Sequence, residues 1–204
     1  TDQDLLITNQ LEARVNKHPL ISLINHIQLE YTGADISLCG LGNNVSGFKK
    51  DITIRDVIGT YIYPNTLVVK KLSGHILKQA LEKTAEFFEI IDNKINISPD
   101  FNTPKLQLYA YDMYDGIDYT MTITNPKGNR ITSLTKNGKH LNLDKDYSVV
   151  MNNYRSAGGG DYNFIKDCEI IKDTQKEVIE LLIDYILKTK NIIIPHKDNI
   201  KVLK

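Results

Sequence analysis

The chain has 204 residues, enough for one domain with a substantial core, and its 25 basic and 25 acidic side chains cancel. No run of Lys and Arg interleaved with aromatics stands apart, which excludes the electrostatic footprint of a polynucleotide-tracking protein. Cys39 and Cys168 lie too far apart for a disulfide framework or a thiolate zinc site and leave one disulfide open, while the longest apolar runs fall short of the roughly 20 residues of a membrane span.

The N-terminal "TDQDLLITNQ" has no signal-peptide pattern, so a soluble chain excised from something longer is expected. Residues 19 to 32 read as a helix: Pro19 suits a first helical position, Leu20, Leu23, Ile24, Ile27 and Tyr31 recur on one face, and Gly33 supplies a stop. A short strand "ADISL" follows. "TLVVKKL" at 66–72 predicts a strand feeding a helix capped by Ser73, whose buried face is Leu77, Ala80, Leu81, Thr84, Phe88 and Ile91. Residues 92–116 read as irregular.

Beyond them "IDYTMTIT" alternates Ile117, Tyr119, Met121 and Ile123, the mark of a half-buried strand. "NPKGN" is a turn, "KNGK" at 136–139 a tight hairpin turn on Gly138, and "YSVVMNN" the next strand, so residues 117–153 predict an antiparallel meander. Thr174 and Glu177 are spaced as a capping box for a helix reaching about Lys188, and "NIIIP" and "IKVLK" offer edge strands. Helices interleaved with antiparallel strands give an α+β fold rather than a doubly wound parallel sheet.

The stretch "NNYRSAGGGDY", residues 152–162, carries the functional question. Phosphate-binding glycine loops need GxxxxGK[ST] or GxGxxG directly before a helix, and neither spacing is present. On the residues alone, the glycines make a tight loop and Tyr154 packs in the core, the commoner roles of both residue types. "YDMYDGIDY" concentrates Asp112, Asp115 and Asp118 without calcium-loop spacing and reads as a solvated acidic loop. The five histidines, His18, His26, His75, His140 and His196, form no HxH or HExxH cluster, and His75 is expected at the surface.

Three segments, "ITIRDVIGTYIYPNTLVVKKLSGHILKQALEKTAEFF", "YDGIDYTMTITNPKGNRI" and "YSVVMNNYRSAGGGDY", in this order and spacing, resemble the C-terminal domain of the 5'-nucleotidase family. The paired "YPNT" and "NNYR" are most similar to its secreted bacterial 2',3'-cyclic-nucleotide 2'-phosphodiesterase/3'-nucleotidase branch. The resemblance implies mixed, largely antiparallel sheets flanked by helices, in a layered α/β/β/α-like domain over residues 19–204 preceded by an interdomain linker and helix region over 1–18. It implies a parent hydrolase of 2',3'-cyclic nucleotides and 3'- or 5'-nucleotides, located outside the cell, in the periplasm or at the cell wall. Two divalent metal ions belong to its N-terminal metallophosphoesterase domain. The GDxxxG and GNHE motifs of that domain are absent here, so no catalytic residue and no metal site is expected in this segment.

By the same resemblance Tyr63 and Tyr154 clamp the base of a nucleotide or nucleoside, Asn65 lies at the base edge, and Asp161 holds the ribose, although the family reads GGDGY where this chain has GGGDY. Gly158, Gly159 and Gly160 leave room for a ligand, Asn43 and Asn44 border the pocket, and Gly116 borders the base. Residue by residue, Asn65 equally closes a turn after Pro64, Asp161 equally bonds its own loop, and Arg155 is open between a phosphate and the other domain. The competing expectation is a non-catalytic interaction module of the same fold, binding a protein or a cell-wall ligand.

Overall fold

The computed structural model describes residues 1–195 and 198–204; His196 lies outside the described residues. The chain opens on strand β1 (Leu5–Leu6) and a single helical turn α1 (Glu12–Val15), and Leu5, Ile7 and Ala13 are buried in the common core. Residues 1–18, expected as a linker and helix region, thus contribute apolar surface to the main body. Helix α2 (Pro19–Thr32) starts where expected, with His18 Nδ1 accepting from the Leu20 amide, and stops at Gly33, whose positive φ lets its N–H reach Leu29 O. Leu20, Leu23, Ile24 and Ile27 are buried, whereas Tyr31, placed by periodicity on the same face, is 42% exposed with Lys172 over its ring.

Strand β2 (Ile36–Gly40) leads to β3 (Gly47–Phe48), which pairs antiparallel with β1, and to α3 (Ile54–Thr60), started by a reciprocal Thr53/Asp56 capping box. Strand β4 (Thr66–Ser73) runs into α4 (Gly74–Ala85), and the Ser73 hydroxyl accepts from the Ile76 amide as its residue type predicts. The helix ends earlier than expected. Phe87 and Phe88 are adjacent and both fully buried against Tyr111, which one helical face cannot accomplish, so the chain turns into the hairpin β5 (Phe88–Ile91) and β6 (Lys94–Ile97) through Asp92 and Asn93 at positive φ.

The stretch 92–116, read as irregular, therefore holds β6 and also β7 (Asp112–Asp115). Next come β8 (Asp118–Thr122), β9 (Ile131–Lys136), β10 (Lys139–His140) and β11 (Asp146–Asn152), with Asn137 and Gly138 at positive φ in the expected hairpin turn. Two single helical turns, α5 (Asn153–Ser156) and α6 (Asn163–Lys166), bracket the glycines, and β12 (Ile170–Glu177), α7 (Val178–Lys188) and β13 (Ile200–Leu203) complete the described chain.

The main sheet has the order β12-β4-β11-β2-β7, and only β11 and β2 run parallel in it. A second sheet, β10-β9-β8-β13, is antiparallel except for β13 along β8. With α2 packed on β2 and β7 and α4 against both β4 and β9, the fold is the mixed, largely antiparallel α+β arrangement expected from the sequence.

The meander is corrected at its last member. Val149, Val150 and Met151 are consecutive and all fully buried, a run covered on both faces, so β11 leaves β8–β10 and becomes the centre of the main sheet. The capping box at Thr174 is also corrected: the Thr174 hydroxyl donates to Leu67 O within β12, and α7 begins at Val178 after Glu177, without a side-chain cap. Of the two tail segments, 200–203 forms an edge strand and 191–195 does not. The disulfide left open by the cysteine count is not formed, since Cys39 and Cys168 are free thiols, and burial pushes the Cys39 thiol far up. No described helix is long and apolar enough to cross a membrane.

Glu82 of α4 and Arg130, the residue before β9, tie the helix and the start of β5 to the second sheet. The Glu82 carboxylate accepts from the amides of Arg130 at 2.8 Å and Ile131 at 3.0 Å, while Arg130 donates through Nη1 to Ala85 O and Phe88 O. Glu82→Ala would strand two buried amides, each a penalty of about 1–3 kcal/mol. Urea unfolding of that variant is expected to show a loss of roughly 2–4 kcal/mol, whereas Glu89→Ala on the partly exposed hairpin stays close to the parent.

Candidate functional site

The parallel neighbours β2 and β11 end side by side, at Gly40 and Asn152. Gly40 pairs with Asp112 at the start of β7, and Asn152 pairs with Leu67 near the start of β4. One end of the sheet thus gathers the loop after β2, the "YIYPN" segment before β4, the start of β7 and the turn α5. Between them lies a cavity of about 310 Å³ with an apolar wall of Leu20, Ile24, Leu41 and Val45. Crevices outside the carboxyl ends of parallel strands are the recurrent ligand position in open sheets, because diverging loops leave the space unfilled.

Tyr63, Asn65 and Tyr154 line this cavity together. Tyr63 is 37% exposed and Tyr154 46%, unusual for large aromatics in a chain whose Tyr111, Tyr114, Tyr119 and Tyr162 are all but fully buried. Among the described residues no ring contact joins Tyr63 to Tyr154. A side chain at Gly159 would place its Cβ 2.5 Å from the Tyr154 ring, which therefore rests directly on the glycine backbone. Tyr61, a nearly buried member of the same lining, has its hydroxyl approached by Asn65 and Asn152, and burial raises it far above an ordinary phenol.

Beneath Tyr154 the side chain of Arg155 is sealed in. Its Nε donates to Asp112 Oδ2 at 2.7 Å, its Nη1 to Gly159 O, and its guanidinium lies 4.0 Å from the centroid of the Tyr162 ring. Burial, the largest single influence, works against its charge, but Asp112 together with Tyr162 and Tyr114 outweighs it and holds Arg155 above the usual range. The Tyr162 hydroxyl is itself bonded to Thr84 Oγ1 at 2.7 Å. Asp112 and Asp115 are therefore not part of a solvated acidic loop: both are buried in β7, paired with Arg155 and Lys17, and Asp118 alone of the three is exposed. Arg155, left open between phosphate and domain contact, is a buried structural cation.

A second buried guanidinium shapes the opposite wall. Arg14 donates to Leu41 O, Gly42 O, Leu108 O and Gln10 and meets no carboxylate among the described residues, and burial lowers it to about 10. Asn43 completes this wall, exchanging hydrogen bonds with Leu106 O and the Leu108 amide at 2.8 Å each.

The remaining expected residues lie apart. Asp161 is at positive φ with its carboxylate 84% exposed and 3.7 Å from Lys83, outside the cavity lining. Asn44 is exposed beside the lining residue Asn43, and Gly158 backs Asn163 and Lys166. Gly116 occupies the turn between β7 and β8 against Asp35, away from the lining. His75 is at the surface, 3.3 Å from Asp144. Lining residues that the sequence reading did not single out include Tyr61, Lys105, Tyr109 and Asn152. Asn152 had a readable signal, as an N-cap type at the end of an apolar strand, and it caps α5 by accepting from the Arg155 amide at 2.8 Å. No group of three His, Cys, Asp or Glu side chains suited to a metal occurs among the described residues.

Residues 2–167 match the family model for the 5'-nucleotidase, C-terminal domain. The chain is 30% identical to a 2',3'-cyclic-nucleotide 2'-phosphodiesterase/3'-nucleotidase of Haemophilus influenzae, covering 92% of this chain and 31% of that protein. It is likewise 30% identical to a trifunctional nucleotide phosphoesterase of Bacillus subtilis, over 73% of this chain and 11% of that one. A Staphylococcus aureus structure described as a 5'-nucleotidase in complex with alpha-ketoglutarate superposes with a TM-score of 0.95 at 39% identity, covering 99% of this chain and 40% of the other. A 5'-nucleotidase precursor from Thermus thermophilus shares the fold at a TM-score of 0.79 and 23% identity, over 99% of this chain and 39% of its own. The chain spans about a third or less of the curated relatives it matches.

Replacing Asp112 by Asn leaves a guanidinium sealed in without its counter-charge, a change that costs about 3–5 kcal/mol in buried pairs. Thermal unfolding of Asp112→Asn is expected to show a loss of that size, while Asp118→Asn, at an exposed position of the half-buried strand β8, leaves the melting temperature within experimental error.

Proposed function

This chain belongs to the 5'-nucleotidase C-terminal domain family, and on that footing we propose that it is the nucleoside-recognition part of a secreted two-domain metallophosphoesterase acting on 2',3'-cyclic nucleotides and 3'- or 5'-nucleotides. One observation carries the reading: two half-exposed tyrosines, Tyr63 before β4 and Tyr154 in the turn α5, line the same cavity. A planar base entering between them meets a π-face on either side. Every base has such faces, so the attraction is broadly indifferent to which one enters. Asn65 and Asn152, also in the lining, supply amide groups for base or sugar edges. Asp161 sits outside the lining and has no part in this reading.

Stacking contributes about 1–3 kcal/mol per base, so two faces give roughly 2–6 kcal/mol, against about 4 kcal/mol for millimolar affinity. The chain alone therefore grips a nucleoside weakly. Its value lies in orientation: the nucleoside is held so that its phosphate is presented in one geometry, and remote binding energy is converted into positioning. The two divalent ions, on the N-terminal domain of the parent, supply Lewis-acid and nucleophile-generating chemistry when bound. The residues of this chain bind, orient and enclose. Their secreted setting, extracellular, periplasmic or at the cell wall, follows the branch the chain resembles.

Isothermal titration of the chain with adenosine is expected to give a dissociation constant in the high-micromolar to millimolar range. Tyr63→Ala and Tyr154→Ala each weaken it by roughly tenfold, as loss of one stacking face requires. Silence at several millimolar, or affinity indifferent to the double variant, would falsify the clamp and favour an interaction module of the same fold.

A further inference from the structure

Three residues lining the cavity carry charge: Lys105, Asp112 and Arg155. Asp112 and Arg155 cancel each other at 2.7 Å and are both buried. Lys105 has no ion-pair or hydrogen-bond partner among the described residues, and it stands exposed at the rim of the same cavity. The site as a whole therefore carries one uncompensated positive charge, and that charge is the only one in the described lining able to meet a ligand.

From this balance we infer that Lys105 is the residue that makes the pocket prefer a phosphorylated nucleoside over the nucleoside itself. The inference rests on the nucleoside reading of the pocket and goes beyond it to the charge of the ligand. The loop carrying Lys105 is held from below: Leu106 O and the Leu108 amide bond Asn43, and Leu108 O bonds Arg14. Only the ammonium end is left unengaged. Lysine suits the task, being a compact charge on a flexible stem with three donors, able to meet an anion whose position varies with the attachment point of the phosphate. Because the group is exposed, its attraction acts through water and is screened by salt.

Titrating the 204-residue chain with adenosine and with 3'-AMP tests this. At about 0.05 M salt 3'-AMP is expected to bind roughly 3- to 10-fold tighter than adenosine, and the ratio should shrink toward one at about 0.5 M. Lys105→Met should bring the ratio at low salt to about one, Lys105→Glu should push it below one, and Lys105→Arg should retain it. Adenosine binding with no preference for 3'-AMP, or a preference that survives Lys105→Met, overturns the role of Lys105 while leaving the pocket reading intact. Binding of neither ligand overturns both.

Discussion

The architecture of the site depends on one buried ion pair, Arg155 with Asp112. The guanidinium fastens four pieces of chain: the turn that bears it, β7 through Asp112, the glycine loop through Gly159 O, and the ring of Tyr162 beneath it. Three of these lie within residues 153–162, and the bond to Asp112 spans 43 positions. Taking both charges out of water is expensive, and a well-packed apolar pair could fill the same volume at least as stably. What the pair provides instead is direction. A planar fork with fixed donors can satisfy these acceptors in only one orientation, and that orientation sets where Tyr154, the preceding residue, projects.

Arg14 plays the corresponding part on the other wall through carbonyls instead of a carboxylate. Its donors are spent on backbone oxygens of the loops at 41–42 and 108, so a segment near the N-terminus holds the rim from behind. One wall is thus positioned by charge pairing and the other by carbonyl dipoles. Both guanidiniums are 2% exposed or less. Two of the buried cations thus lie against the pocket, where loops lack the repeating hydrogen bonds that hold strands in place.

Much of the fold was legible in the sequence, and the divisions follow range. Local signals read correctly: Pro19 and Gly33 at the ends of α2, Ser73 capping α4, and Asn137-Gly138 in a tight hairpin are decided by a few neighbouring residues. What could not be read locally was which strands meet. The "SVVM" run of β11 is continuous rather than alternating, a sign of burial on both faces, yet nothing nearby names β4 and β2 as its partners. The acidic cluster misled for the same reason: Asp112 and Asp115 look solvated until Arg155 and Lys17 arrive from distant segments. At the site, Tyr63, Asn65 and Tyr154 were accessible through ordered motifs, whereas Lys105 and Tyr109 lie in a stretch without periodicity.

The contact between Gly159 and the Tyr154 ring has a consequence for entropy. An exposed tyrosine ordinarily samples several rotamers, and ordering it against a ligand costs about 0.5–1.5 kcal/mol. Here the backbone of Gly159 closes off one side of the ring's travel before any ligand arrives. The aromatic face is open to solvent yet already confined, so part of the ordering cost falls on folding rather than on binding. The bare backbone at position 159 thereby acts as a stop that turns a mobile surface side chain into a preset platform.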